Sequence, residues 1–213
     1  MPLPEFKNPA LLNRALTHRS YVNEHPEALE DNERLEFLGD AVLDCLSGAF
    51  LYNRFPEMRE GQLTRMRSSL VRTEQLAAFA ADMGVGALIR LGKGEEEAGG
   101  RDRPPLLCAT FEAIIGAYYL DSGFEAVRQF IEPRFRSIGD SDLDPKSAFQ
   151  EIAQAEFGHT PRYHTIAASG PDHQKEFTVE VRVNGEVYGV GAGQSKQTAE
   201  QAAARDALKK LGR

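Results

Sequence analysis

The chain has 213 residues, 41% hydrophobic, 27% charged and 8% aromatic, with 19 Gly and 11 Pro, a balance that excludes disorder and collagen-like repetition. The length predicts one large domain or two small ones. Two fit better, because the net charge of −7 is uneven: 16 Lys/Arg stand against 24 Asp/Glu before residue 145, and 9 against 8 from there on. The two cysteines, Cys45 and Cys108, lie in apolar runs far apart in sequence, which suits buried thiols in a reducing compartment better than a disulfide framework. No stretch approaches ~18 consecutive apolar residues, and the start lacks a basic region leading into an apolar run. The expectation is therefore a cytoplasmic protein with no membrane partner.

In chain order, residues 9–16, 32–53, 60–71, 73–83, 107–121 and 123–136 read as amphipathic or buried helices, and this half reads as all-α. The Gly-rich, acidic stretch 92–100 lacks the Lys-Ser/Thr ending of a phosphate loop and reads as a plain solvated connection. Residues 139–145, short, polar and closed by Pro145, read as a linker. Beyond it the period changes. A helix is predicted over 146–157, a weaker strand over 162–168, a cleanly alternating strand over 175–183, an Asn184-Gly185 hairpin turn, a strand over 186–192 and an Ala-rich helix over 195–211.

The most informative stretch is Asn32 to Asp40. At ~100° per residue Glu33, Glu36 and Asp40 share one narrow helical face, with Leu35, Leu38, Val42 and Cys45 predicted on the other. Carboxylates at i, i+3 and i+7 repel one another, a cost a cation relieves, and a hard divalent ion such as Mg2+ takes oxygen ligands of this kind. A solvated charged face is the alternative. Phe37 falls on the acidic side, away from the apolar stripe, so it is expected either in a second subunit or under a neighbouring helix of its own chain. Glu60 opens a helix followed by Arg65, Arg67 and Arg72. Glu112 interrupts an otherwise apolar helix, where an isolated carboxylate calls for a metal or an Arg.

Asn32 to Asp40, Glu60-Gly61 with Arg65, and Glu112-Ala113-Ile114-Ile115-Gly116 occur in this order ahead of an α-β-β-β-α module, and Ala15 to Tyr21 adds a further block. Together they resemble bacterial ribonuclease III over nearly the whole chain. The resemblance implies two domains: an all-α ribonuclease III endonuclease domain over 1–139, then a linker at 140–145 and an α+β double-stranded RNA-binding domain over 146–213. It implies a homodimer that hydrolyses double-stranded RNA with Mg2+, for which Mn2+ substitutes, needing no small-molecule cofactor and leaving 5′-phosphates and short 3′ overhangs. It also implies that Glu36, Asp40 and Glu112 are metal ligands, that Glu33 and Glu60 are accessory catalytic acids, and that Phe37 plugs into the other subunit.

One departure stands out. The family motif has an Asp three residues before the last Glu, and this chain has Ala109. A methyl group ligates nothing, so metal binding weakens and turnover nearly vanishes while RNA binding is spared. The change reads as an introduced inactivation in preference to a natural variant in which another acid fills the gap. A non-cleaving double-stranded RNA-binding dimer is accordingly the alternative function.

A-form RNA is recognised through minor-groove and phosphate contacts at separated points. In similar domains these come from three segments, represented here by Gln150, Glu151 and Gln154, by the turn holding His173, and by Ser195, Lys196 and Gln197. The family's lysine cluster at the last helix is thinned, since Gln194 and Gln197 take two of its places. Fewer phosphate contacts predict weak binding by the isolated domain and a reliance on dimeric avidity.

Overall fold

Helical periodicity in the first half becomes a bundle built on two long central helices. In chain order the elements are α1 (Pro9–Ala15), α2 (Arg19–Glu24), α3 (Glu33–Arg54), α4 (Glu60–Leu70), α5 (Thr73–Asp82), α6 (Val85–Leu88), α7 (Lys93–Glu97), a 3-10 turn (Gly100–Asp102), α8 (Pro104–Ser122) and α9 (Phe124–Ser137). The computed structural model describes residues 2–25, 27–28, 30–139, 144–170 and 175–212, in two compact units, Met1–Ser137 and Ile138–Arg213.

Helix α8 begins at Pro104, whose missing N–H costs nothing in a first turn. It is apolar nearly all round, with Phe111, Ala113, Ile114, Ile115 and Ala117 fully buried. That profile marks a helix surrounded by others, and α3 and α5 pack along it. Two departures from the sequence reading have local causes. Helix α2 has no buried residue and so leaves no apolar period; its start is set by His18 Nδ1, which accepts from the Ser20 N–H at 3.2 Å. The stretch 92–100 contains the short helix α7, held by Glu96 to Arg101 at 2.8 Å and by Glu95 to Arg103.

The second unit is α10 (Pro145–Phe157), β1 (Arg162–Ser169), β2 (Glu176–Val183), β3 (Glu186–Gly193) and α11 (Lys196–Lys210), an antiparallel sheet in the order β1-β2-β3. Val179, Val181 and Val183 of β2 meet Phe149 and Ala153 of α10 and Ala199, Ala203, Ala204, Ala207 and Leu208 of α11. Small residues let α11 lie close to β3, where a Cβ on Gly191 would come within 2.2 Å of the Ala203 backbone nitrogen. Asn184 and Gly185 both take positive φ, 50° and 89°, as a two-residue hairpin turn demands. Strand β1 reads weakly in sequence because it is exposed along nearly its whole length, Tyr163 being its one partly covered position. Among the described residues no helix is long and apolar enough to cross a membrane.

Candidate functional site

Helices α3 and α8 cross at two glycines. A Cβ at Gly39 would lie 1.8 Å from the Glu112 carbonyl oxygen, and one at Gly116 would lie 2.2 Å from the Leu35 carbonyl oxygen. Only glycine allows backbones this close. This crossing corrects the predicted wheel. The buried face of α3 runs through Leu35, Gly39, Val42, Leu43, Leu46 and Phe50, centred ~240° from Glu33, whereas Leu38 and Cys45 sit ~100° or more to one side. Cys45 is accordingly exposed, against expectation, and Cys108 is buried. Glu36 and Asp40, at ~300° and ~340°, flank the seam with α8 instead of lying opposite the buried face.

Across that seam stands Glu112. Burial, reinforced by Asp40 and Glu36, pushes its carboxyl up to about 7, and Asp44, one turn beyond Asp40, adds to the same field. Glu36 is likewise raised, first by burial and then by Glu33 and Asp40. The Cys108 thiol donates to Glu112 Oε1 at 3.7 Å and is itself pushed up to about 12, chiefly by burial and next by the adjacent Glu112 carboxylate. Glu36, Asp40 and Glu112 thus share one electrostatic neighbourhood drawn from two helices. They do not enclose an ion as they stand: among the described residues no group of three or more His, Cys, Asp or Glu is arranged to hold one.

Ala109, one turn before Glu112, opens onto a recess of about 330 Å3 shared with His18, Asn32, Glu33, Glu36 and Arg103. Among the described residues the acids lining it are Glu33 and Glu36, and no further carboxylate fills the place beside Ala109. Glu33 pairs with Arg19 at 3.2 Å. Glu60 lies elsewhere on the unit: it accepts from Thr64 Oγ1 at 2.9 Å and lines an apolar groove with Leu51, Tyr52, Met58 and Leu63. Phe37 is 80% exposed, so among the described residues no helix of its own chain covers it. Asp44 and Cys108 escaped notice as members of this cluster. Asp44 could have been found by extending the acidic period one more turn, but Cys108 reads as plain core until α8 is turned toward α3.

In the second unit, Phe149 and Ala153 turn inward on α10 and leave Gln150, Glu151 and Gln154 exposed along its outer side. Lys196 and Gln197 are exposed in the first turn of α11. Ser195 caps that helix, its Oγ accepting from the Thr198 N–H at 3.1 Å. His173 lies outside the described residues.

Comparison with known proteins extends the picture past geometry. Residues 8–137 match the Ribonuclease-III-like family and residues 145–211 the double-stranded RNA binding motif. The ribonuclease 3 of Bdellovibrio bacteriovorus is 48% identical over 211 residues, spanning 96% of this chain and 90% of that protein. A ribonuclease 3 of a Nostoc species is 51% identical over 217 residues, spanning 98% and 95%. The nuclease domain of ribonuclease III from Campylobacter jejuni, solved in a study of flexibility in a region involved in dimer formation, matches with a TM-score of 0.58 at 39% identity, covering 62% of this chain and 89% of that one. An all-helical nuclease unit with carboxylates at a glycine crossing, an α-β-β-β-α unit following it in sequence, and half-identity to these relatives over nearly full length have one reading: the chain belongs to the ribonuclease III family of endoribonucleases.

Proposed function

We propose that this chain is a cytoplasmic, homodimeric double-stranded RNA-binding protein of the ribonuclease III type whose own cleavage is crippled at one position. Residues 1–139 form the nuclease domain, 140–145 the linker and 146–213 the RNA-binding domain. Gln150, Glu151 and Gln154, the turn holding His173, and Ser195, Lys196 and Gln197 hold the duplex, and Phe37 enters the second subunit. In the intact enzyme Glu36, Asp40 and Glu112 would hold Mg2+ or Mn2+ with an Asp at position 109, and Glu33 and Glu60 would orient water. Such an ion, when bound, would supply charge stabilisation at the scissile phosphate, and the products would carry 5′-phosphates and short 3′ overhangs.

The observation that carries this reading is the recess beside Ala109. The oxygen donors of Glu36, Asp40 and Glu112 suit a hard cation in kind, but among the described residues they do not close around one. An Asp at 109 would lie at i, i+3 to Glu112 and face Glu36 across the recess. Loss of a directly bound anionic ligand should cost at least the roughly 10- to 100-fold seen for outer-shell partners. RNA recognition, housed in another unit, is spared.

Cleavage of a long RNA duplex in Mg2+ tests this. Ala109→Asp is expected to cut at least ~100-fold faster than the chain as it stands, with both binding duplex in preference to single-stranded RNA in a gel shift. Equal cleavage rates would sink the impairment reading, and absence of duplex binding would sink the RNA-binding one.

A further inference from the structure

The second unit carries a cleft that meets the assigned duplex contacts only at Gln154. It has a volume of about 630 Å3 and opens between the end of α10, the start of β1 and the β2-β3 turn, with Gln154, His159, Arg162, His164, Arg182 and Asn184 among its lining side chains. In a chain of net charge −7 this concentration of nitrogen donors is out of character.

The strand register sharpens the point. Arg162 of β1 stands directly opposite Arg182 of β2, and both are exposed on the sheet face away from the valine core. Like charges placed directly across a ladder are destabilising, and a bound anion removes that cost. That charge is met only in part: Glu180 takes Arg182, its Oε1 accepting from Nε at 2.7 Å, and among the described residues no carboxylate pairs with Arg162. Glu180 is itself nearly buried, so it fixes Arg182 at the rim without crossing to Arg162. The His159 and His164 rings and the Gln154 and Asn184 amides add further donors around the same space.

We infer that this cleft seats a phosphate of the RNA backbone, with Arg162 as its principal contact and Arg182, held by Glu180, alongside. A planar guanidinium matches phosphate oxygens two at a time, which a lone lysine does not. Phosphate is favoured over other anions by continuity: Gln154 belongs both to the cleft and to the exposed side of α10 assigned to the duplex. The contact also offsets the thin cationic complement at the start of α11, where Gln194 and Gln197 flank Lys196. This inference rests on the duplex-binding reading above and lengthens its footprint toward the β2-β3 turn.

The test compares the full-length chain with Arg162→Ala, Arg162→Lys and Lys196→Ala, measuring duplex affinity over a range of salt concentrations. Loss of one phosphate contact lowers the slope of log affinity against log salt by about 1. The expectation for Arg162→Ala is that drop, with roughly fivefold weaker binding near 0.15 M salt, partial recovery in Arg162→Lys, and an unchanged circular dichroism spectrum because the residue is exposed. In a parallel NMR titration inorganic phosphate should shift the His159 and His164 rings in the parent and not in Arg162→Ala. If duplex RNA shifts them and inorganic phosphate does not, the backbone contact holds and a free-phosphate site is excluded. An Arg162→Ala variant with parental affinity and slope, beside a weakened Lys196→Ala, would overturn this inference and leave the duplex reading standing. Failure of the parent to bind duplex at all would overturn both.

Discussion

The two units gather charge of opposite sign by different means. In the helical unit, backbones meeting at Gly39 and Gly116 press Glu36 and Asp40 of α3 toward Glu112 of α8, and burial raises the cost until Glu112 holds its proton to about 7. In the α+β unit nothing is pressed: Arg162 and Arg182 face each other because strand register puts them there, both open to solvent. A half-buried cluster depends on a precise helix crossing and is fragile to packing. An exposed pair depends on register alone, tolerates mutation, and should report itself through salt.

The strongest way to break this contrast is at the crossing. Gly39→Ala forces a methyl against the Glu112 carbonyl, and with backbone on both sides the helices must part. The expected loss is at least about 3 kcal/mol, toward the upper end for overpacked cores, read as a fall of roughly 10 °C in the melting temperature. An unchanged melting temperature would mean that the helices do not meet there.

Next in size is Phe37. At 80% exposed, Phe37 is the barest of the large hydrophobic side chains among the described residues. If it seats in a second subunit, Phe37→Ala should weaken dimerisation by about 2 kcal/mol or more, some 30-fold in Kd by sedimentation equilibrium. An unaltered Kd would remove Phe37 from the interface.

In the second unit the comparison sharpens at Ser195, whose hydroxyl closes the first turn of α11. Ser195→Ala should cost about 1 kcal/mol of that unit's stability in a denaturant titration, with no effect on the helical unit's transition.

The smallest effect is a pH dependence at His18. Burial holds this ring below its ordinary value, helped by Arg19 and Arg103 and opposed by Glu95 and Glu33. Its Nδ1 caps α2 only while unprotonated. A depressed folded value makes the cap's contribution full above the unfolded value of 6.5 and lost as pH falls through the folded one. Between pH 7 and pH 5 the parent should therefore lose up to ~1 kcal/mol more than His18→Ala. Parallel stability curves for the two would contradict the cap.

Much of this was legible in the sequence, for reasons that can be named. The α3 acids declared themselves by i, i+3, i+7 spacing, the second unit by the switch from period 3.6 to period 2 and by Asn184-Gly185, and Phe37 by standing off the apolar stripe. The orientation of α3 was not legible, because its closest contact is made by glycine, which carries no hydrophobic signal; that is why Cys45 was expected inside. Helix α2, which buries nothing, and the short α7 left no period to read. The Arg162–Arg182 pairing needed the register of a strand that shows no alternation. Asp44 and Cys108 joined the acidic cluster only once α8 was set against α3.

The cation site proposed between α3 and α8 would be one ligand short at Ala109. Manganese binding measured by calorimetry on this chain and on Ala109→Asp, without RNA, reads that directly. The prediction is at least a tenfold gain in affinity for Ala109→Asp, abolished again by Glu112→Gln. Equal manganese affinity in all three proteins would contradict it.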